Sequence, residues 1–332
     1  MSWSGVRNCA LAALLFGAST PAASVIAQDM TPLALAGLLY LGAALAMCPW
    51  WIVSRPAPGA LRRDGRLLTL AIVAGGAIGP VLLSAGLVDT PAATASLLLN
   101  VELVATMVLA FTLFREHLGR NMVLAAGLVS MAGVLLVWEP GAAVDVHALL
   151  IVGACICWGL DNSVTSRIDQ ISPQHVTFLK GFVAGTVNTC LAVVLTGFGD
   201  VTAWSVIGAL VIGALGYGAS ITLWVRGAQQ LGAARGQVIF ATAPFVGALI
   251  AWTVLADPVE PVQVLATLVA ALGVALSLRS AHVHMHRHDH MVHAHEHDHD
   301  DGFTGRHSHA HEHAALAHAH PHVPDLHHRH DH

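Results

Sequence analysis

Charge is what this sequence has least of. Only 11% of its 332 residues are Asp, Glu, Lys or Arg, while 55% are apolar and the mean hydropathy is +0.66. An ordinary soluble domain carries about a quarter charged residues, so a water-soluble fold is excluded. Cysteine carries no message either. The five (Cys9, Cys48, Cys155, Cys157, Cys190) all fall in apolar stretches, which excludes a disulfide framework and a CxxC-type zinc site. Cys155 and Cys157 read as small core residues. The chain has no glycine-rich phosphate loop and no nucleophile–base pair. Neither ATP-driven transport nor an enzyme is expected, and no cofactor or nucleic-acid partner is required.

What is present is a series of apolar stretches long enough to span a bilayer, which takes ~20 residues each. They cover roughly 6–27, 32–53, 67–87, 92–114, 121–138, 147–167, 174–196, 204–226, 236–256 and 262–279, with Pro-, Gly- and Asp-containing breaks between them. The predicted fold is an all-α polytopic membrane protein of ten transmembrane helices, its first partner the lipid bilayer. Alternate loops differ in charge. Arg7, then Arg55, Arg62, Arg63 and Arg66, then Arg115 and Arg120, Arg167 and Lys180, Arg226 and Arg235, and Arg279 lie on one side. The other side has only acids: Asp29, Asp89, Glu139, Asp145, Asp200, Asp257 and Glu260. Cytoplasmic loops carry the Lys/Arg excess, so both termini are expected in the cytoplasm, with the protein in the inner (plasma) membrane. Arg7 followed by "CALAALLFGA" and "PAASVIA" loosely fits a cleaved signal peptide, but the repeat described next counts against cleavage.

The two halves, 1–140 and 141–280, resemble each other at an offset of about 141 residues. "AATASLLLNVELVATMVLAFTLFRE" (92–116) aligns without a gap on "AARGQVIFATAPFVGALIAWTVLAD" (233–257). "FGASTPAASVIAQ" (16–28) aligns on "WGLDNSVTSRIDQ" (158–170), and "VSMAGVLL" (129–136) on "VAALGVAL" (269–276). Five spans per half is an odd number, so the second half is expected to enter the membrane inverted. Inverted repeats are a transporter architecture, with the substrate site near the midplane. With Phe16-Gly17 and Trp158-Gly159 near the start of each half, and Glu116 and Asp257 closing the fourth spans, the chain resembles the EamA-type drug/metabolite transporter superfamily. Pro244 keeps that family's usual proline; the first half reads Asn100-Val101-Glu102-Leu103 there instead. The resemblance implies export or import of a small solute, often coupled to protons or exchange.

Ionisable residues at bilayer depth are functional candidates by default. Glu102 lies about ten residues into its span, ~15 Å deep. Thr94, Leu98, Glu102 and Thr106 are expected on one helix face. A carboxyl there suits exchange of a proton for a cation; the bland reading is a neutral acid bonded to a neighbouring helix. Asp161 is the second candidate, beside Asn162, with pairing to Arg167 or Lys180 as its bland reading. Asn100 and Asn188 complete the expected pathway, or serve as interhelical glue. Glycines at 74–79 and 213–220 suit close packing or a sliding interface.

Residues 281–332 hold 20 of the 23 histidines, three arginines and eight acids. They lack an apolar period and are expected to be disordered. Neutral imidazole suits Ni, Co and Zn. The candidate metal ligands are His282, His284, His286, His288, His290, His293, His295, His297, His299, His307, His309, His311, His313, His318, His320, His322, His327, His328, His330 and His332. The leading expectation is a proton- or cation-coupled secondary transporter of a divalent transition metal (Ni, Co or Zn), efflux favoured, with the tail as collector or sensor. A homodimer is compatible with it. The alternative is an exporter of a small organic metabolite or drug, with the tail incidental or regulatory. A metal sensor without transport is a third reading, which the repeat opposes. Against the metal reading, no histidine and no Met/Cys cluster is expected to face Glu102.

Overall fold

The computed structural model describes residues 3–114, 120–137, 145–165, 167–168, 170–231 and 239–278, and four stretches of the tail, 282–288, 291–297, 307–313 and 316–322. The chain divides into a helical unit and a tail unit, Ala281–Val323.

The helical unit runs α1 (Trp3–Ala27), α2 (Pro32–Val53), α3 (Pro58–Ala71), α4 (Gly79–Gly86), α5 (Ala92–Leu98), α6 (Val101–Phe114), α7 (Arg120–Val137), α8 (Val146–Thr165), α9 (Pro173–Leu191), α10 (Ala203–Ile212), α11 (Ser220–Leu231), α12 (Ala243–Thr253) and α13 (Pro261–Leu278). Wider π-helical turns, Ile72–Ile78 and Gly213–Ala219, join α3 to α4 and α10 to α11 into single rods. Seven helices among the described residues are long and apolar enough to cross a membrane, and three shorter apolar ones lie at 123–136, 243–253 and 261–276. All ten fall on the predicted segments. The protein is a multi-pass membrane protein. Helices satisfy every backbone donor and acceptor internally, which hydrocarbon demands. Proline at the first turn of α2, α3 and α9 starts those helices where its missing N–H has no cost. Side chains such as Val193, Val194, Leu195, Leu268 and Leu272 stay exposed on the outside, as a lipid-facing surface requires.

One boundary differs from the sequence reading. The expected loop at 54–66 is mostly helix, because Pro58 begins α3 and Leu61, Arg62, Arg63 and Arg66 all favour helix.

Packing repeats the internal duplication. α1 packs on α11 and α12, α8 on α4 and α6, α2 along α9, and α7 along α13. Exchanging the halves turns the α1–α11 pair into α8–α4, and α1–α12 into α8–α6. The other two pairs map onto themselves. These two π segments obey the same offset of 141 residues (72 to 213, 78 to 219); a third, Ala192–Thr196 after α9, has no counterpart among the described residues.

Small residues allow the crossings. A Cβ added at Gly159 would lie 2.9 Å from the Ala105 Cβ and 2.9 Å from the Thr106 nitrogen, where α8 meets α6. Overpacking costs about 1–3 kcal/mol. Gly159→Val is therefore expected to lower the melting temperature in detergent, whereas Gly127→Val, with nothing within 4 Å, leaves it unchanged. Equal melting of the two variants would refute the close crossing.

In the tail unit, four strands are described: β1 (His282–His288), β2 (Met291–His297), β3 (His307–His313) and β4 (Leu316–His322). β1 pairs with β4 and β2 with β3, both antiparallel. The strict His-x-His repeat of these stretches has the period of two that a pleated strand has. His290, His299, His327, His328, His330 and His332 lie outside the described residues, as does Glu116.

Candidate functional site

The fourth apolar stretch is helical but not α-helical throughout. α5 ends at Leu98 and α6 starts at Val101. Between them the chain makes tight turns, with Asn100 N–H donating to the Leu97 carbonyl (3.1 Å) and Glu102 N–H to the Leu99 carbonyl (3.1 Å). The Asn100 side-chain amide also donates to Leu97, at 3.0 Å, a local bond that competes with regular helix. The stripe expected to join Thr94 to Glu102 is therefore interrupted, and Thr94 instead accepts from Gln263 Nε2 at 3.0 Å. The break sets Glu102 in the first turn of α6, where the helix dipole favours a carboxylate. A second turn at Ala241–Thr242 precedes α12 at the related place in the other half. The joint between α5 and α6 keeps right-handed helical backbone at Leu99 (φ −61°, ψ −15°) and tightens to i→i+3 bonds, so its donors stay satisfied at membrane depth.

Two cavities meet at this break. The larger has about 570 Å³ of space between its walls, part of it open to the outside. Its wall includes six aromatic rings (Phe16, Tyr40, Trp158, Tyr217, Trp224, Phe240) together with Glu102, Asp161, Asn162, Thr165 and Lys180. The smaller, about 300 Å³, is walled by Asn100, Glu102, Ala241 and Pro244 among others. Glu102, Phe16 and Phe240 line both. The rings pack on one another: Phe16 lies 6.0 Å from Trp158, 5.9 Å from Tyr217 and 5.3 Å from Phe240, and Tyr40 lies 5.4 Å from Tyr217.

The polar groups are held by named bonds. Asn162 Nδ2 donates to Glu102 Oε1 at 2.6 Å. Asp161 forms a buried ion pair with Lys180 and accepts from Thr165 Oγ1 at 3.0 Å. Lys180, near the start of the predicted stretch 174–196 and one of the two cations expected to pair with Asp161, lies within α9, buried at 6% exposure, because Asp161 on α8 neutralises it there. The first π segment supplies acceptors: the Tyr40 hydroxyl and the Trp158 indole N–H (3.0 Å) both donate to the Gly75 carbonyl, and Asn188 Nδ2 donates to Ala77 at 3.1 Å. Two buried polar atoms on the cavity walls have no hydrogen-bond partner, the Asn100 side-chain oxygen and the Trp224 indole nitrogen.

Of the five predicted pathway residues, Glu102, Asp161 and Asn162 are thus gathered at the larger cavity. Asn100 is on the smaller one, and Asn188 supports the π segment. No cluster of three or more His, Cys, Asp or Glu suited to a metal ion occurs among the described residues searched. Sequence pattern picks out Phe16 and Trp158 only as packing residues and passes over Tyr40, Tyr217, Trp224 and Phe240. A signal was available: the chain has only two tyrosines and a single lysine, Lys180, and all three line this cavity.

The geometry agrees with comparisons to known proteins. Over 222 residues the chain is 25% identical to an uncharacterized transporter of Methanothermobacter thermautotrophicus, spanning 64% of this chain and 64% of that relative's length. A crystal structure titled only as that of a protein superposes with a TM-score of 0.58 at 16% identity, covering 83% of this chain and 97% of the other; that likeness concerns the fold alone. The sequence profile of the EamA-like transporter family matches twice, over residues 3–138 and 146–279, once for each half. The chain therefore belongs to the EamA-like transporter family.

Proposed function

We propose that the protein is a secondary transporter that moves a small amine-bearing organic cation, in exchange for protons, through the two cavities that meet at Glu102. The observation that carries this reading is the wall of the larger cavity: beside the Asp161–Lys180 ion pair, Glu102 is a carboxylate with no cation paired to it, among six aromatic rings. Aromatic faces attract ammonium groups, more strongly when desolvated, and a carboxylate that lines two adjoining cavities is placed to hand a cation from one to the other. Asp161 adds no net charge, because Lys180 neutralises it. The unpartnered Asn100 oxygen and Trp224 N–H offer one acceptor and one donor to the solute. The duplicated helix pairs and matched π segments support a ten-span, 5+5 inverted architecture in the inner membrane with cytoplasmic termini, in which the halves rock about the cavity.

Transport of Ni, Co or Zn is the second reading. The histidine-rich tail favours it. The cavity speaks for the organic solute, since its wall holds no imidazole or sulfur and only one unpaired carboxylate.

The deciding experiment uses proteoliposomes with an imposed pH gradient, containing the full chain or a chain ending at Ser280. Uptake of tetraethylammonium and of primary aliphatic amines is compared with that of Zn²⁺, Ni²⁺ and Co²⁺. Gradient-driven movement of an amine by both chains is expected. Movement of a metal but of no amine would overturn the organic reading in favour of the metal one.

A further inference from the structure

The tail ladders assign a second site, independent of whichever solute crosses the membrane. In the β1–β4 ladder the register sets His282 opposite His322, His284 opposite His320 and His286 opposite His318. In the β2–β3 ladder it sets His293 opposite His311, His295 opposite His309 and His297 opposite His307. A slip of one residue in either ladder would place histidine opposite a non-histidine at every one of these positions. Both ladders take the parity that sets histidine opposite histidine. The positions between are occupied mainly by small or apolar residues, such as Val283 opposite Pro321 and Ala294 opposite Ala310.

The spacing then selects between two modes of chelation. Residues directly opposite in an antiparallel pair have Cβ atoms ~4.5–5.5 Å apart. Alternate residues along one strand are separated by two rises, ~6.6 Å. A divalent ion held by imidazole nitrogens at ~2.0–2.1 Å in a tetrahedral shell is thus reached more readily from a cross-strand pair, or a block of two such pairs, than from one His-x-His run. We propose that the tail binds divalent transition-metal ions across its strands, each ion tying a histidine of the 282–297 region to one of the 307–322 region. The ion closes the β1–β4 and β2–β3 pairings, and neither region forms these sites alone.

The test counts ions. Full-length protein, one copy per nanodisc so that no second chain can supply ligands, is stripped with chelator and titrated with Zn²⁺ by calorimetry and elemental analysis. One variant carries His282→Ala, His284→Ala and His286→Ala; a second carries His318→Ala, His320→Ala and His322→Ala; a third carries all six. Cross-strand binding makes the three variants lose the same number of Zn²⁺ equivalents, because either row is useless without the other. The same result is expected for His293, His295 and His297 against His307, His309 and His311. If the six-histidine variant loses the sum of the two three-histidine losses, each row chelates by itself and the proposal fails. It fails equally if the intact chain binds no more Zn²⁺ than a chain ending at Ser280.

Discussion

Glu102→Gln loses at least about thirty-fold of its gradient-driven amine uptake in proteoliposomes, while folding and insertion are unchanged. The physical basis lies in what the substitution keeps and removes. A glutamine carbonyl still accepts from Asn162 Nδ2, the bond that holds Glu102 at 2.6 Å, so the break between α5 and α6 survives. What disappears is a charge that can be given to a proton or to the solute by turns. Truncating one partner of a buried charge pair costs ~2–5 kcal/mol, and the lower figure already corresponds to the thirty-fold loss. Glu102→Asp keeps the charge but withdraws it by one methylene, and retains part of the rate. Uptake by Glu102→Gln that still follows the pH gradient at the native rate would remove Glu102 from the coupling step. The Zn²⁺ content of the tail is expected to be the same in this variant as in the native chain, which separates the two sites.

The second large effect concerns stability. Lys180→Met leaves Asp161, which also accepts from Thr165, without its ion-pair partner within the helical unit. Breaking one side of a buried pair costs about 3–5 kcal/mol, whereas replacing both sides with neutral groups is often close to neutral. Lys180→Met alone is therefore expected to melt far below the native protein in detergent. Asp161→Asn combined with Lys180→Met recovers most of the loss. The order native, double variant, single variant in melting temperature is the diagnostic. A single variant as stable as the native chain would mean that Asp161 is not held by Lys180. Transport by the rescued double variant then reports whether the pair touches the solute or only supports the wall.

Much of this arrangement was legible in the sequence. Hydropathy located all ten apolar stretches, since hydrocarbon leaves long apolar helices as almost the only solution. The self-similarity of 92–116 and 233–257 located the broken helices. It could not show the break itself, because Leu99 and Asn100 carry no Pro or Gly to announce a turn; the interruption comes from a side-chain bond to Leu97. Glu102 was legible because a carboxylate amid twenty apolar residues has few bland explanations. The cage around it was not. Phe16, Tyr40, Trp158, Tyr217, Trp224 and Phe240 come from five separate stretches, and only tertiary packing brings them to one wall. Lys180 was legible in part: it falls within the apolar stretch 174–196 and is one of the two cations expected to pair with Asp161, but its burial rests on that partner on α8.

The π segments set a rule for which lengths of chain the fold tolerates. A π turn holds about one residue more than the α turn it replaces, so each segment takes up an extra residue while the helix on either side keeps its angular frame. Losing one residue within 72–78 or 213–219 would let the rod revert to α-helix with Gly86 still against Ile151 of α8 and Ser220 still beside the Ala12 carbonyl (2.8 Å). Losing one from the regular turns of α4 or α11 would instead rotate everything beyond by about 100°. In these two rods the wide turns are therefore where a residue can be lost at least cost, and the regular turns are where residue number is under the tightest constraint.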